Sequence, residues 1–182
     1  IKYEIEISGA PMKVSLETNF KKPNMFYMSL SMKMGELMGM KYNGEKCIQS
    51  GMQGKKELSK EEIEKERENF YLYPILYIKD LNHTFQLKEI EEVNGKDAYK
   101  IIRTDKWGLS KTIYFDINNG HIIKEVFQKD GMENIIEFSD YENHEGLIIP
   151  KNMSITVNTP QGSQVMKGVI KDVIKNSGLK SK

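Results

Sequence analysis

The three histidines and the single cysteine are the side chains of this sequence that most often bind metal or act in catalysis. His83, His121 and His144 are not spaced as helical zinc ligands, and none lies in an H-E-x-x-H or H-x-x-E-H motif. His121 follows a glycine turn, so the His-Ile-Ile-Lys-Glu segment favours a strand. Cys47 has no adjacent histidine or helix start that would lower its pKa. We expect no metal site and no catalytic residue.

Other chemical motifs are missing as well. No G-x-S-x-G nucleophile turn occurs, and residues 35–39 and 51–54 are not glycine loops of the dinucleotide or phosphate-binding type. We therefore expect no cofactor. The two acidic clusters are predicted to be solvated faces and not paired catalytic carboxylates: Glu61, Glu62 and Glu64, and Glu89, Glu91 and Glu92.

Composition indicates one ordinary globular domain spanning residues 1–182. The chain has 38% hydrophobic and 29% charged residues with a net charge of +1, so nucleic acid is not an expected partner. One cysteine excludes an intramolecular disulfide. No apolar run approaches the roughly 20 residues of a membrane span. Because the chain starts at Ile1 without a Met, we expect it to be trimmed from a longer, secreted precursor.

Methionine is the most informative residue type. Of eleven methionines, eight lie in the first 52 residues. Flexible thioether side chains suit apolar surfaces that accept varied shapes, but they also fill loosely packed cores. Soft-metal binding is disfavoured because no His or Cys cluster accompanies them. The eight are Met12, Met25, Met28, Met32, Met34, Met38, Met40 and Met52.

The methionines follow the period of two that is typical of strands. One predicted strand places five side chains on one face: Phe26, Met28, Leu30, Met32 and Met34. Strands are also predicted at residues 2–8 and 12–19 around a turn at residues 9–11. A further strand carries Met38, Met40 and Tyr42 to a turn at Asn43-Gly44, and residues 46–50 return beside it.

A helix is predicted over residues 59–70, because Ser59 and Glu62 form an S-x-x-E capping box. Its apolar positions are few, Ile63 and Phe70, so we expect it at the rim of the structure. Residues 70–78 are the most apolar stretch. Since Pro74 disfavours a central strand, we expect a short helix or bend that covers the sheet.

From residue 84 onward, turns recur at hairpin spacing and leave no room for crossover helices. We predict strands at residues 84–92, 97–103, 111–116, 121–128, 134–141, 147–157 and 163–175. The fold class is therefore mainly β (α+β): a strongly curved antiparallel sheet, a half-open barrel, with one or two covering helices.

The order of short motifs in the second half resembles the LolA/LolB-like outer-membrane lipoprotein-sorting superfamily, most closely its Bacteroidetes type. That type also occurs as a C-terminal domain of insulinase-type zinc peptidases. The motifs are Glu92 to Ile101, Tyr114-Phe115-Asp116 with Gly120 and Lys124-Glu125, Phe138 to Tyr141 with Gly146 and Pro150, and Asn176-Ser177-Gly178. The chain has only two arginines, and neither is matched to the arginine of the true carriers.

The resemblance implies a non-catalytic domain with a hydrophobic hollow, in the periplasm or at the outer membrane. The ligand would be an acyl chain or lipoprotein tail. The alternative is an interaction domain attached to a peptidase or an envelope protein, without a small ligand. We predict that the ligand contacts the alternating face and the apolar segment above it: Phe26, Met28, Leu30, Met32, Met34, Met38, Met40, Tyr73 and Leu76.

Overall fold

The structure, a computed structural model, describes the backbone of residues 2–8 and residues 14–22 and 24–175 in full. Contacts divide the chain into two compact units. The first contains residues 1–77 and 169–182, and the second contains residues 78–168. The predicted turn at residues 9–11, Met12 and the Asn176-Ser177-Gly178 motif lie outside the described residues.

Antiparallel strands dominate the described chain, as the turn spacing predicts, and helices are short. The strands are β1 (Lys2–Ser8), β2 (Val14–Lys21), β3 (Met25–Met32), β4 (Gly35–Tyr42), β5 (Cys47–Gly51), β6 (Gly54–Glu57), β7 (Thr84–Val93), β8 (Lys96–Thr104), β9 (Ser110–Asp116), β10 (Ile122–Lys129), β11 (Met132–His144), β12 (Leu147–Thr159) and β13 (Gly162–Ile174).

The first unit is a meander in which β1 to β6 pair in sequence order. Strand β6 was not predicted, because its four residues are all exposed and show no apolar alternation. The predicted strand, which ran to Met34, is two residues too long. Strand β3 ends at Met32, and Lys33 and Met34 form the turn to β4.

The helical segment begins where the capping box predicts. Helix α1 (Lys60–Glu66) has Ser59 as its N-cap, with both hydrogen bonds of the box present. The α-helix ends earlier than predicted, because Arg67–Phe70 tightens into a 3₁₀ turn. Its two apolar positions, Ile63 and Phe70, are buried in the core of the first unit, and the other residues of the segment are exposed or half-buried. Two apolar positions are enough to pack this segment against the sheet when both of them point into that core.

Residues 74–81 form the short helical segment that Pro74 indicated. A 3₁₀ turn (Pro74–Tyr77) leads into helix α2 (Ile78–Leu81). The rings of Tyr71 and Tyr77 are tilted against each other with centroids 4.2 Å apart, which links the residue after Phe70 to the end of the 3₁₀ turn. No described helix is both long and apolar enough to cross a membrane.

The second unit is a meander of β7 to β12, again paired in sequence order. Its compact core contains Val93, Ala98, Tyr114 and Ile123, with Val126 packed beside them. The predicted strands of this region are all present within one to three residues of their predicted ends. The mainly β fold class with short helices is therefore confirmed.

Candidate functional site

Most residues of the predicted site lie on one face of β2 to β6, here called the methionine face. Residues directly opposite each other on paired strands share a face, so the register arranges this face in three rows. The first row is Phe20, Phe26, Tyr42 and Cys47. The second is Thr18, Met28, Met40, Gln49 and Lys56, and the third is Leu16, Leu30, Met38, Gly51 and Gly54.

Aromatic side chains seal the first row. Phe70 is 2% exposed and stacks on Tyr42 with ring centroids 4.2 Å apart. It also contacts Phe26 at 5.6 Å, and Phe26 in turn lies 5.3 Å from Phe20. Offset and tilted ring pairs of this kind add to the free energy gained by burial. The helical segment thus closes one end of the methionine face.

The second row is the boundary between core and solvent. Met40 is buried within the aromatic cluster, and its partner Met28 is partly buried against the same cluster. At the outer end of the row, Lys56 forms an ion pair with Glu62 of helix α1. That pair joins the last strand of the face to the capping box.

The third row is open. Met38 is 39% exposed, whereas Met40, two residues away on the same face, is 8% exposed. Leu30 is half-buried. Past Met38 the row continues through Gly51 and Gly54, and a Cβ at Gly54 would meet nothing within 4 Å. Missing side chains at these two glycines leave the face uncovered at this end.

A groove of about 430 Å³ occupies this open end, here called the glycine groove. Its volume falls in the range of roughly 300–1,000 Å³ that is usual for small-molecule sites. It has an apolar part beside a lysine-bearing edge. Its lining includes Leu37, Met38, Gly51, Met52, Gly54 and Lys56.

The opposite face of the same strands carries a polar cluster around Glu36 of β4. The Glu36 carboxylate accepts hydrogen bonds from the Ser29 hydroxyl (2.9 Å) and the Ser50 hydroxyl (2.5 Å). These bonds hold the pKa of Glu36 below its ordinary value. Gly39 lies between the two serines, and a Cβ there would come within 2.5 Å of Ser50 Oγ. A glycine is therefore needed to let the serines converge.

The nine predicted site residues do not form one surface. Phe26 and Met40 are core residues, and Met28, Leu30 and Met32 are partly buried on the methionine face. Met38 lines the glycine groove. Tyr73 is half-buried, and burial raises the pKa of its phenol. Met34 and Leu76, by contrast, are 92% and 74% exposed.

The residue types that most often act in catalysis are buried or contact neighbouring side chains here. Cys47 is fully buried, and burial raises the pKa of its thiol to about 11, so at neutral pH it is a thiol and not a thiolate nucleophile. His121 stacks on Tyr141 at 4.2 Å, and His144 lies 3.7 Å from Glu142. Among the described residues, no group of three or more His, Cys, Asp or Glu side chains is arranged to hold a metal ion.

The acidic clusters form surface ion pairs. Glu61 and Glu62 contact Lys65 and Lys56, respectively. Glu89 and Glu91 both contact Lys100, at 3.1 and 2.5 Å. Hydrogen bonds from Lys56 and Ser59 lower the pKa of Glu62 to about 2, which is the direction expected for a solvated, paired carboxylate and opposite to that of a general acid.

A second apolar face, in the second unit, was not singled out from the sequence. Register aligns Ile101, Ile113, Glu125, Ile136 and Ile155 across five strands. Alternation in residues 111–116 and 134–138 was the available signal. It located the strands, but single strands do not reveal which faces align.

Charged side chains distinguish this second face from the methionine face. The adjacent row contains Arg103, Lys111, Phe127, Asn134 and Val157. Lys111 Nζ lies 3.2 Å from a carboxylate oxygen of Glu125, and both side chains are largely buried. The Lys111 ammonium group is thus stabilised by the Glu125 carboxylate and by the ring of Phe127, whose centroid lies 5.1 Å from Lys111 Nζ.

The sequence matches no protein-family model and no curated protein. Solved structures do match over nearly the whole chain. A LolA superfamily protein from Nitrosomonas europaea aligns with a TM-score of 0.68 at 11% identity, covering 100% of this chain and 88% of that one. A domain assigned to outer membrane lipoprotein sorting from Vibrio parahaemolyticus gives 0.64 at 12%, covering 99% and 86%.

A DUF1329 family protein from Desulfovibrio piger aligns with a TM-score of 0.63 at 16% identity, covering 98% of this chain and 85% of that one. Identities this low carry information about the fold and not about activity. The chain therefore has a LolA-like fold, which is the fold that the order of its short motifs predicts.

Proposed function

We propose that this chain is a non-catalytic binding domain of the cell envelope, and that the open end of the methionine face holds an acyl chain or a lipoprotein tail. The observation that carries the proposal is the contrast along that face. Phe70 seals one end, while Leu30, Met38 and the glycine groove remain accessible at the other. An accessible groove with an apolar part, beside a packed aromatic core, suits an elongated apolar ligand.

The energy of such binding is sufficient for a useful affinity. Each buried methylene contributes about 0.8 kcal/mol, so eight methylenes contribute about 6 kcal/mol before association costs. Flexible methionine side chains adjust to the shape of an acyl chain without leaving cavities. Lys55 also lines the groove and offers a cation to a carboxylate or phosphate head group, whereas Lys56 is paired with Glu62.

Location in the envelope is supported by the fold. One structure with this fold is assigned to outer membrane lipoprotein sorting. The Bacteroidetes-type resemblance of the second half of the chain agrees with that location. We also propose that the domain meets its ligand in the periplasm or at the outer membrane.

Titration with a fluorescent fatty acid tests the proposal. The purified chain is expected to bind the probe saturably, in the micromolar range. Met38→Glu places a carboxylate against the apolar part of the groove, and it is expected to weaken binding at least tenfold because desolvating that charge is unfavourable. Lys41→Glu is the matched control, since Lys41 is exposed on the opposite face of the same strand. It is expected to leave affinity unchanged.

Organic extraction of freshly purified protein, followed by mass spectrometry, provides an independent measurement. The ligand proposal is contradicted if the chain shows no saturable probe binding and no co-purified lipid. That outcome would favour the alternative from the resemblance, an interaction domain that accompanies an insulinase-type peptidase. Equal weakening by Met38→Glu and Lys41→Glu would place the ligand elsewhere than in the glycine groove.

A further inference from the structure

One turn of the second unit carries apolar side chains that have no place in its core. Trp107 and Leu109 lie in the turn between β8 and β9 and are 41% and 66% exposed. In an antiparallel meander, every second turn lies at the same end of the strands. The other two turns at this end are Asp130–Gly131 and Pro160–Gln161, which have no large apolar side chain.

The backbone of this turn is held by hydrogen bonds that centre on Asp105. Asp105 Oδ1 accepts hydrogen bonds from the backbone N–H groups of Trp107 and Leu109, both at 2.9 Å. The backbone N–H of Asp105 donates to the Leu109 carbonyl at 3.0 Å. Gly108 takes a φ of 83°, in the left-handed region that glycine adopts without strain. The turn therefore presents Trp107 and Leu109 outward in a preformed arrangement.

A cation accompanies the two apolar side chains. Lys106 Nζ lies 4.6 Å from the centroid of the Trp107 ring. Tryptophan, an aliphatic side chain and a lysine are the combination that favours the boundary between lipid head groups and acyl chains. The indole and leucine enter the apolar side of that boundary, and the ammonium group remains among anionic head groups.

We propose that the turn at residues 105–109 is a lipid-contact site that inserts into the interface of a bilayer containing anionic lipid. The inference is independent of the ligand proposed for the methionine face, which lies on other residues. The expected association is weak and reversible. A single myristoyl chain gives a binding constant of only about 10⁴ M⁻¹, and this turn exposes less apolar surface. Such contact allows repeated approach to a membrane without permanent attachment.

Trp107 is the only tryptophan of the sequence, so its fluorescence reports directly on this turn. The purified chain would be titrated with vesicles of phosphatidylethanolamine and phosphatidylglycerol, and separately with vesicles of phosphatidylcholine. The expected result is a shift of emission to shorter wavelength with the anionic vesicles, and quenching by lipids with brominated acyl chains. Unchanged emission without quenching at high lipid concentration would overturn the proposal.

Variants that keep the tryptophan show whether the turn is responsible. Leu109→Ser is expected to weaken vesicle binding about three- to tenfold, because one large apolar side chain no longer enters the interface. Leu87→Ser is the matched control, since Leu87 is 62% exposed on β7, away from the turn. Lys106→Glu is expected to remove the preference for anionic vesicles. Equal losses from Leu109→Ser and Leu87→Ser, in variants with unchanged circular dichroism, would contradict a site at this turn.

Discussion

The two ends of the methionine face have similar residues but different surroundings. At one end Phe26, Met40 and Tyr42 are buried beneath Phe70. At the other, Leu30 and Met38 belong to the same strands and the same face, yet only glycines follow them toward the edge. The difference lies in what covers the strands. A strand pattern defines an apolar face, but a covering element decides whether that face is core or binding surface.

The largest expected effect is at the sealed end. Phe70→Ala removes a ring that contacts Phe26 and Tyr42, and it is expected to lower the free energy of unfolding by about 3–5 kcal/mol. Urea denaturation measures this loss. Leu76→Ala, at a 74% exposed position, is the control and is expected to change stability by less than about 0.5 kcal/mol. Similar losses in both variants would mean that the segment after Phe70 also seals the face.

Met40 and Met38 compare the two ends directly. Met40→Ala leaves a cavity in the core cluster and is expected to cost about 2–5 kcal/mol. Met38→Ala removes a partly solvated side chain and is expected to cost less than about 1 kcal/mol while weakening fatty-acid binding. Denaturation and probe titration of the two variants test the comparison. It fails if Met38→Ala is as destabilising as Met40→Ala.

The capping box of helix α1 has a smaller effect. Ser59→Ala removes the acceptor for the Glu62 backbone N–H and is expected to cost about 1 kcal/mol. The pKa of Glu62 is lowered to about 2, so its contribution is present above its ordinary pKa of 4.5 and is lost as the pH falls from 4.5 toward 2. Comparing the acid unfolding of the protein with that of Glu62→Gln tests this dependence. An identical acid profile in Glu62→Gln would contradict it.

Cys47 gives the smallest effect at neutral pH. Burial raises the pKa of its thiol from 9.0 to about 11 in the folded state. Its contribution to stability is therefore complete below pH 9, and it declines between pH 9 and 11 as the unfolded chain ionises first. Cys47→Ala should lack that part of the alkaline decline. A folded thiol that reacts readily with an aromatic disulfide reagent at pH 8 would show that the sealed end is open.

Sequence alone located nearly all strands and the helix start in this protein. Period-two alternation and glycine turns are local signals, and so is the Ser59–Glu62 box, because each depends on residues close together in the chain. The same signals predicted the mainly β fold, and the order of short motifs predicted a LolA-like one. Strand β6 was missed because Gly54–Glu57 has no apolar alternation.

Only the tertiary structure decided which predicted site residues are core and which are accessible. Met38 and Met40 have the same residue type, strand and face, so no local pattern separates them. Phe70 separates them, because it folds back over Tyr42 and Phe26 from a segment 28 residues beyond Tyr42. The row of Ile101, Ile113, Ile136 and Ile155 likewise depends on register across five strands. Burial is a property of packing between distant segments, which alternation within one strand does not encode.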